Sequence, residues 1–169
     1  MPDATFIEKM YAAMGNKSDG YFDALGVHAP GFKAPPEMSP DDVAKDPAFN
    51  NNDGPAGRIY SFRHVEDIRK IMVAKGDSAK QIVILEFGWT TDPIHPAYSW
   101  FKVDEQTQAQ YIVAAYQYAK KNWAPWIGAM FVIYVERHIL GERRVERPAE
   151  YMPAPAAART REPRRRLTE

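Results

Sequence analysis

The chain has 169 residues, 45% of them hydrophobic, with equal numbers of acidic and basic side chains and no cysteine. The absence of cysteine excludes disulfide bonds and thiolate metal sites, and the composition is typical of a globular domain with its own core. The first residues lack the basic and apolar regions of a signal peptide, and no apolar run reaches the length of a membrane span. We therefore expect no membrane association, and the localisation stays open between the cytoplasm and a longer precursor.

The charges are unevenly distributed along the chain. Residues 136–169 carry nine of the twelve arginines and no lysine, whereas residues 1–135 carry all ten lysines. The net charge is about −3 for residues 1–135 and about +3 for residues 136–169. This change, with enrichment in proline and alanine, predicts a folded domain over 1–135 and a disordered tail over 136–169. Because glutamates are interleaved with the arginines of the tail, we expect no nucleic-acid partner.

The first predicted elements are a helix, a strand and a long loop. Asp3 is a suitable N-cap for a helix that ends at Gly15-Asn16. The apolar run 22–27 leads into His28 and predicts a short strand. Residues 30–57 are rich in proline, aspartate and asparagine, which predicts a loop long enough to be functional or disordered. The residues that share one face of the first helix are Phe6, Ile7, Met10, Tyr11 and Met14.

Two further helix–strand pairs follow in the sequence. A helix beginning near Ser61 has a buried stripe, and the four apolar residues 82–85 after it predict a strand buried on both faces. Asp104 caps a third helix, and the apolar run 126–135 predicts a third strand. The stripe of the second helix is Val65, Ile68 and Met72; that of the third is Ile112, Tyr116, Ala119 and Trp123.

The resulting order, α-β-α-β-α-β, predicts an α/β fold with about three parallel strands and three helices. Each crossover between the strands is expected to be right-handed. Because the carboxyl ends of parallel strands meet at one edge of a sheet, the polar residues that end two of the strands, His28 and Glu86, are expected to share a cleft.

Carboxylate, imidazole and aromatic surfaces together suit a carbohydrate, because sugars present apolar C–H faces to aromatic rings and hydroxyl groups to polar side chains. Trp89 follows Glu86 closely, Trp100 lies in the next loop, and Trp126 precedes the third strand. These tryptophans are candidate platforms for a sugar ring. From the residues alone, Glu86 and His28 can also be structural, and Trp89 and Trp126 can belong to the core.

Three segments, Phe22-Asp-Ala-Leu-Gly-Val-His28, Ile82-Val-Ile-Leu-Glu-Phe-Gly-Trp89 and Trp126-Ile-Gly-Ala-Met-Phe-Val132, resemble a known family. They are similar to the last strands of the (β/α)8 barrel of retaining glycoside hydrolases, in the clan of cellulase-like and β-xylosidase-like enzymes. The resemblance covers roughly residues 3–132. It implies a partial TIM barrel that runs from the fifth helix to the eighth strand, and an oligo- or polysaccharide substrate.

The resemblance also implies roles for the candidate residues. Glu86 matches the nucleophile that ends the seventh strand of the family's barrel, and His28 matches a histidine near the site at the end of the sixth. The family's acid/base glutamate, which an asparagine precedes, ends the fourth strand and would lie upstream of Met1, together with strands one to five. We therefore expect negligible hydrolysis by this chain alone, and either self-association or pairing with a missing amino-terminal half-barrel.

Two other interpretations of the chain stay open. It can be a non-catalytic carbohydrate-binding or interaction module, or a truncated gene product, since the family resemblance stops near the change in composition. The four histidines show no ligand spacing, and Gly54-Pro-Ala-Gly57 is a turn rather than a phosphate loop. Neither a metal nor a cofactor is therefore expected.

Overall fold

A computed structural model of the protein describes residues 1–134, and the predicted disordered tail at 136–169 lies outside the described residues. Three strands form one parallel sheet in the order β1-β2-β3, so the predicted α/β class is confirmed. The strands are β1 (Ala24–His28), β2 (Gln81–Phe87) and β3 (Ile127–Val132). The helices are α1 (Asp3–Ala13), α2 (Pro40–Lys45), α3 (Pro47–Asn50), α4 (Val65–Ala74) and α5 (Glu105–Asn122).

The first helix lies where the sequence predicts it. It is followed by Gly15 and Asn16, which both have positive φ angles, 70° and 59°, and such left-handed residues end a helix. Pro2, rather than Asp3, is the N-cap residue. Asp3 lies in the first turn, where its carboxylate accepts a hydrogen bond from the backbone N–H of Ala4 at 2.7 Å. A negative charge at this end complements the helix dipole.

The predicted loop over residues 30–57 is only partly a loop, because it contains α2 and α3. The side chain of Ser39 accepts a hydrogen bond from the N–H of Asp42 at 3.1 Å, and that of Asp46 accepts one from the N–H of Ala48 at 2.9 Å. A proline follows each capping residue, in the first helical position where its missing N–H is harmless. Pro40 and Pro47 therefore begin helices.

Helix α4 confirms the predicted stripe, since Val65, Ile68 and Met72 are all buried. In α5 the cap is confirmed, because Asp104 accepts a hydrogen bond from the N–H of Thr107 at 2.7 Å. The predicted stripe of α5 is only partly right. Tyr116 is 42% exposed, although its ring packs edge-on against Phe87 of β2 at 5.1 Å. Ala115 and Ala119 are buried in the core. The buried residues of α5 and its C-cap are Gln108, Ala115, Ala119 and Trp123.

The core lies on one face of the sheet, between the strands and helices α1, α4 and α5. Ile82 and Ile84 of β2 have no exposed surface, but Leu85 is 47% exposed. The expectation that β2 is buried on both faces is therefore wrong for the described residues. A sheet whose strands follow chain order places its right-handed crossovers on the same side, so the helices cover one face and leave the other open. Within residues 1–134, no helix has the length and apolar character needed to cross a membrane.

Candidate functional site at the carboxyl rim of the sheet

His28 and Glu86 lie beside each other at the carboxyl ends of β1 and β2, which we call the carboxyl rim. They are register partners in the sheet, and the imidazole Nδ1 lies 3.4 Å from the carboxylate Oε2. Both side chains are about half exposed, at 56% and 48%. The two side chains therefore meet at one edge of the sheet, as the rule for parallel strands predicts. The pair leaves the carboxylate open to solvent and gives it a neighbour that becomes a cation on protonation.

A break in the strand regularity gives Glu86 this position. Side chains of a regular strand alternate between the faces, so burial of Ile82 and Ile84 predicts that residue 86 is buried too. Instead the next buried residue is Phe87, and the sheet register shifts between Ile84 and Phe87. The extra residue of such a bulge re-aims the side chains beside it. Leu85 and Glu86 are therefore both exposed in succession, with the carboxylate directed away from the core.

The Tyr134 phenol lies close enough to Glu86 for the carboxylate charge to raise its pKa. Burial raises the pKa of the Tyr134 phenol, and the nearby Tyr98 phenol and Glu86 carboxylate add to the rise. The backbone N–H of Ile133, one residue earlier, donates to the carbonyl of Phe87 at 2.8 Å and fixes this segment against the end of β2. Ile133 and Tyr134 therefore belong to the same rim as Glu86.

A small cavity of about 100 Å³ opens at this rim, and we call it the rim cavity. It is lined by residues that follow each of the three strands, together with one residue from the loop before α5. The parallel strands bring these segments together because all three chains leave the sheet at the same edge. The lining residues are Pro30, Phe32, Gly88, Thr90, Phe101 and Tyr134.

Trp89 and Trp126 are the predicted sugar platforms, but neither presents an exposed ring face beside Glu86. Trp89 has no exposed surface, and its ring N–H donates to the carbonyl of Ala34 at 2.9 Å, so it is a core residue. Trp126 lies at the opposite edge, because its carbonyl accepts a hydrogen bond from the N–H of Ile82 at the start of β2. Four residues of strand, roughly 13 Å, separate that point from Glu86. Burial therefore removes Trp89 from the candidate site, and strand geometry removes Trp126.

Aromatic residues from the loops take that place at the rim. Trp100 stacks on Phe32, with ring centroids 5.7 Å apart and planes 21° from parallel. Phe101 and Tyr60 contact Phe32 edge-on, at 5.1 and 4.6 Å. Phe32, Phe101 and Tyr134 were missed as candidates in the sequence, since isolated aromatic residues in irregular segments follow no period. Alternating and helical patterns identify buried residues only within strands and helices, so they do not identify these three residues.

Asp92 and His95, in the loop after β2, contact each other. The Asp92 carboxylate pairs with Nδ1 of His95 and accepts hydrogen bonds from the N–H groups of Ile94 and His95, at 2.6 and 3.0 Å. The side-chain bond from His95 and these N–H groups lower the pKa of Asp92. This carboxylate therefore organises its own loop.

The chemistry of the rim follows from the side chains that it assembles. Among residues 1–134, no three histidine, aspartate or glutamate side chains converge to hold a metal ion. The chain matches no protein-family model, no curated protein and no solved structure in the comparisons made. What the rim offers is an exposed carboxylate, an adjacent imidazole and an aromatic-lined cavity. Carboxylates and aromatic rings are among the groups that carbohydrate sites use.

Proposed function

We propose that this chain is part of a retaining glycoside hydrolase and that Glu86 is its nucleophile. The observation that carries the proposal is the half-exposed Glu86 carboxylate at the carboxyl rim of a parallel strand, 3.4 Å from His28. In parallel α/β barrels, this end of the strands holds the catalytic residues. A carboxylate that a bulge aims out of the core is also free to reach a substrate.

The proposed architecture is three consecutive strands of a (β/α)8 barrel. The strands pair in chain order and all run parallel, and the helices that connect them pack on one face. A barrel is built by repeating this unit until the sheet closes, with its uncovered face turned inwards. The open face of this sheet carries exposed Leu85 and Phe131, at 47% and 56%. Apolar side chains on that face fit the interior of a barrel better than a surface in water.

In the proposed reaction, a Glu86 carboxylate oxygen attacks the anomeric carbon of the sugar. The new C–O bond forms as the bond to the leaving oxygen breaks, and the leaving oxygen takes that electron pair. Water then attacks the anomeric carbon of the glycosyl ester, releases a proton to solvent and regenerates the carboxylate. His28 is placed to hold the orientation of the carboxylate through these steps.

An ordinary glycoside needs a second carboxylic acid, about 5–5.5 Å from the nucleophile, to protonate its leaving oxygen. The family resemblance gives this acid no counterpart within residues 1–134. We therefore expect negligible hydrolysis of unactivated glycosides by residues 1–169 alone. A dinitrophenyl glycoside is different, because dinitrophenolate is a stable anion and leaves without protonation.

The test is covalent labelling with dinitrophenyl 2-deoxy-2-fluoroglycosides of gluco and xylo configuration, both anomers of each. Fluorine at C2 slows hydrolysis of the ester, so the glycosyl-enzyme accumulates and adds one fluorosugar to the intact mass. We expect this addition in the wild-type chain and its loss in Glu86→Gln. Glu8→Gln, the same change at an exposed position of α1, is the matched control and should label like the wild type.

The second candidate is a carbohydrate-binding module without catalysis, which the aromatic rings at the rim cavity favour, because such rings bind sugars without a nucleophile. Sugar binding that Glu86→Gln leaves unchanged, together with no covalent label on the folded wild-type chain, would replace the first proposal by this one.

A further inference from the structure

We propose that the rim cavity is a specificity pocket for a small methyl-bearing substituent of the bound sugar, such as the C6 methyl group of a 6-deoxyhexose. This inference rests on the proposed function, since it places the sugar by its anomeric carbon at Glu86. It adds the substrate class, which neither the resemblance nor the Glu86–His28 pair specifies.

The walls of the rim cavity are chiefly apolar. Pro30, Phe32 and Phe101 contribute ring surfaces. The polar backbone of the other walls is already engaged: the Gly88 carbonyl accepts from the N–H of Gly31 at 3.1 Å, and the Thr90 carbonyl accepts from a backbone N–H at 2.9 Å. The Thr90 hydroxyl accepts a further backbone N–H at 3.1 Å. The hydroxyl groups of Thr90 and Tyr134 keep hydrogen-bonding capacity at the edge of this cavity. Against the ring walls, a hydroxyl group gives up hydrogen bonds to water, whereas a methyl group gains from burial.

The size of the rim cavity limits what it can hold. Its volume of about 100 Å³ is several times what one buried water molecule needs. A compact group, such as a methyl group or an acetyl group, therefore fits within it. The ligand chemistry that fits both its size and its walls is a compact apolar substituent.

The position of the rim cavity places it within reach of a sugar held at Glu86. Gly88 lines the cavity and follows Glu86 by two residues, which corresponds to roughly 7 Å of extended chain. Tyr134 lines it too, and the Glu86 charge contributes to the raised pKa of its phenol. A pyranose ring spans a comparable distance, so a ring substituent remote from the anomeric carbon meets the cavity.

The aromatic wall is held in place before any ligand binds. Phe32 has a φ angle of 49°, a left-handed conformation that is strained for a bulky residue. Trp100 stacks on its ring at 5.7 Å, and Tyr60 and Phe101 pack against it edge-on. Backbone strain of this kind persists where the surrounding structure enforces it, and it concentrates at ligand sites. The cavity is therefore a preformed feature, with Phe32 fixed as its wall.

The test uses the full chain and pairs of methyl glycosides that differ only in the oxygen at C6: fucoside with galactoside, and quinovoside with glucoside. Affinities come from ligand-observed NMR titration, and contacts from saturation transfer. We expect the 6-deoxy member of one pair to bind about five- to tenfold more tightly, from methyl burial and the avoided burial of a hydroxyl group. Its C6 methyl protons should receive the strongest saturation.

Variants of Phe101 connect the preference to the rim cavity. Phe101→Ala opens the cavity to water and should reduce the preference to less than about twofold. Phe101→Trp keeps an aromatic side chain but fills the cavity, and should weaken binding of the deoxy sugar at least fivefold. Phe6→Ala, at a 53% exposed position of α1, is the control and should leave the preference unchanged. Circular dichroism and the melting temperature of each variant show whether it is folded.

The outcomes separate this inference from the proposed function. Equal binding of both members of each pair, with labelling at Glu86 intact, overturns the pocket and leaves the nucleophile in place. A methyl preference that Phe101→Trp abolishes, in a chain that forms no glycosyl ester, supports the pocket and contradicts catalysis. Absence of any sugar binding by the folded chain overturns both.

Discussion

Asp77 is a buried carboxylate that connects three segments of the fold. Its side chain is 9% exposed and accepts hydrogen bonds from the Tyr11 hydroxyl at 2.6 Å and from the Ser18 hydroxyl at 2.5 Å. The Lys80 ammonium lies 3.6 Å away. Tyr11 belongs to α1, Ser18 to the segment before β1, and Asp77 to the turn after α4. Loss of the negative charge should therefore loosen the attachment of α1 to the rest of the core.

The perturbation is Asp77→Asn, which keeps the shape and removes the charge. Each hydrogen bond to a charged group contributes about 1.5–3 kcal/mol to stability, against about 1 kcal/mol for a neutral one. With two such bonds weakened, the free energy of unfolding should fall by about 2–3 kcal/mol. For a domain of this size, the melting temperature should fall by roughly 10 °C.

The loss should depend on pH in a defined direction. Burial raises the pKa of Asp77, but the bonds from Ser18 and Tyr11 and the charge of Lys80 outweigh it, so the pKa lies below its usual value of 3.8. A carboxyl group with a lowered folded-state pKa stabilises the fold above its unfolded-state pKa, and this contribution is lost as the pH falls through the folded-state value. The difference in the free energy of unfolding between wild type and variant should be constant above about pH 5 and should decrease below about pH 4.

Urea denaturation followed by circular dichroism, at pH 7 and pH 3, measures this difference. Asp19→Asn is the control, because its carboxylate is 93% exposed and 3.6 Å from the same lysine. It should change stability by less than about 0.5 kcal/mol. An Asp77→Asn variant within about 0.5 kcal/mol of the wild type at pH 7, or a difference that is the same at both pH values, would refute the reasoning.

Three further predictions concern the rim and the open face. Gly31→Ala places a methyl group 2.0 Å from the Trp89 ring and should destabilise the fold by more than about 2 kcal/mol in urea denaturation; wild-type stability would contradict this contact. Trp89→Phe removes the donor to the Ala34 carbonyl and ring volume and should cost about 2–3 kcal/mol by the same assay; a change below 0.5 kcal/mol would contradict its core role. The wild-type chain should self-associate at micromolar concentration by light scattering, and Phe131→Ser should raise its monomer fraction; a monomeric wild type contradicts this.

Much of the fold follows from local patterns in the sequence. The spacing of Val65, Ile68 and Met72 predicts the buried face of α4 because it matches the helical period. The cap at Asp104 is visible because an aspartate precedes a helical run. The meeting of His28 and Glu86 follows from a rule of parallel sheets, that successive strands end at the same edge.

The misplaced residues depend on long-range geometry. The bulge between Ile84 and Phe87 leaves Leu85 exposed beside Glu86, and no glycine or proline within the strand predicts this bulge. Trp89 is buried because segments distant in the sequence, at Ala34, Phe62 and Tyr111, pack against it. Trp126 is remote because it precedes its strand, whereas the site lies where strands end. Phe32 and Phe101 meet only after three segments leave the same edge, a proximity that local periodicity does not encode.

The most direct test of the central claim is the position of the covalent label. After reaction with the fluoroglycosides, tryptic cleavage after Lys80 and Lys102 releases residues 81–102, whose carboxylates are Glu86 and Asp92. Fragmentation of this peptide by mass spectrometry should place the sugar ester on Glu86 alone. An ester on Asp92, or no ester on a chain that circular dichroism shows to be folded, would contradict the assignment of Glu86 as the nucleophile.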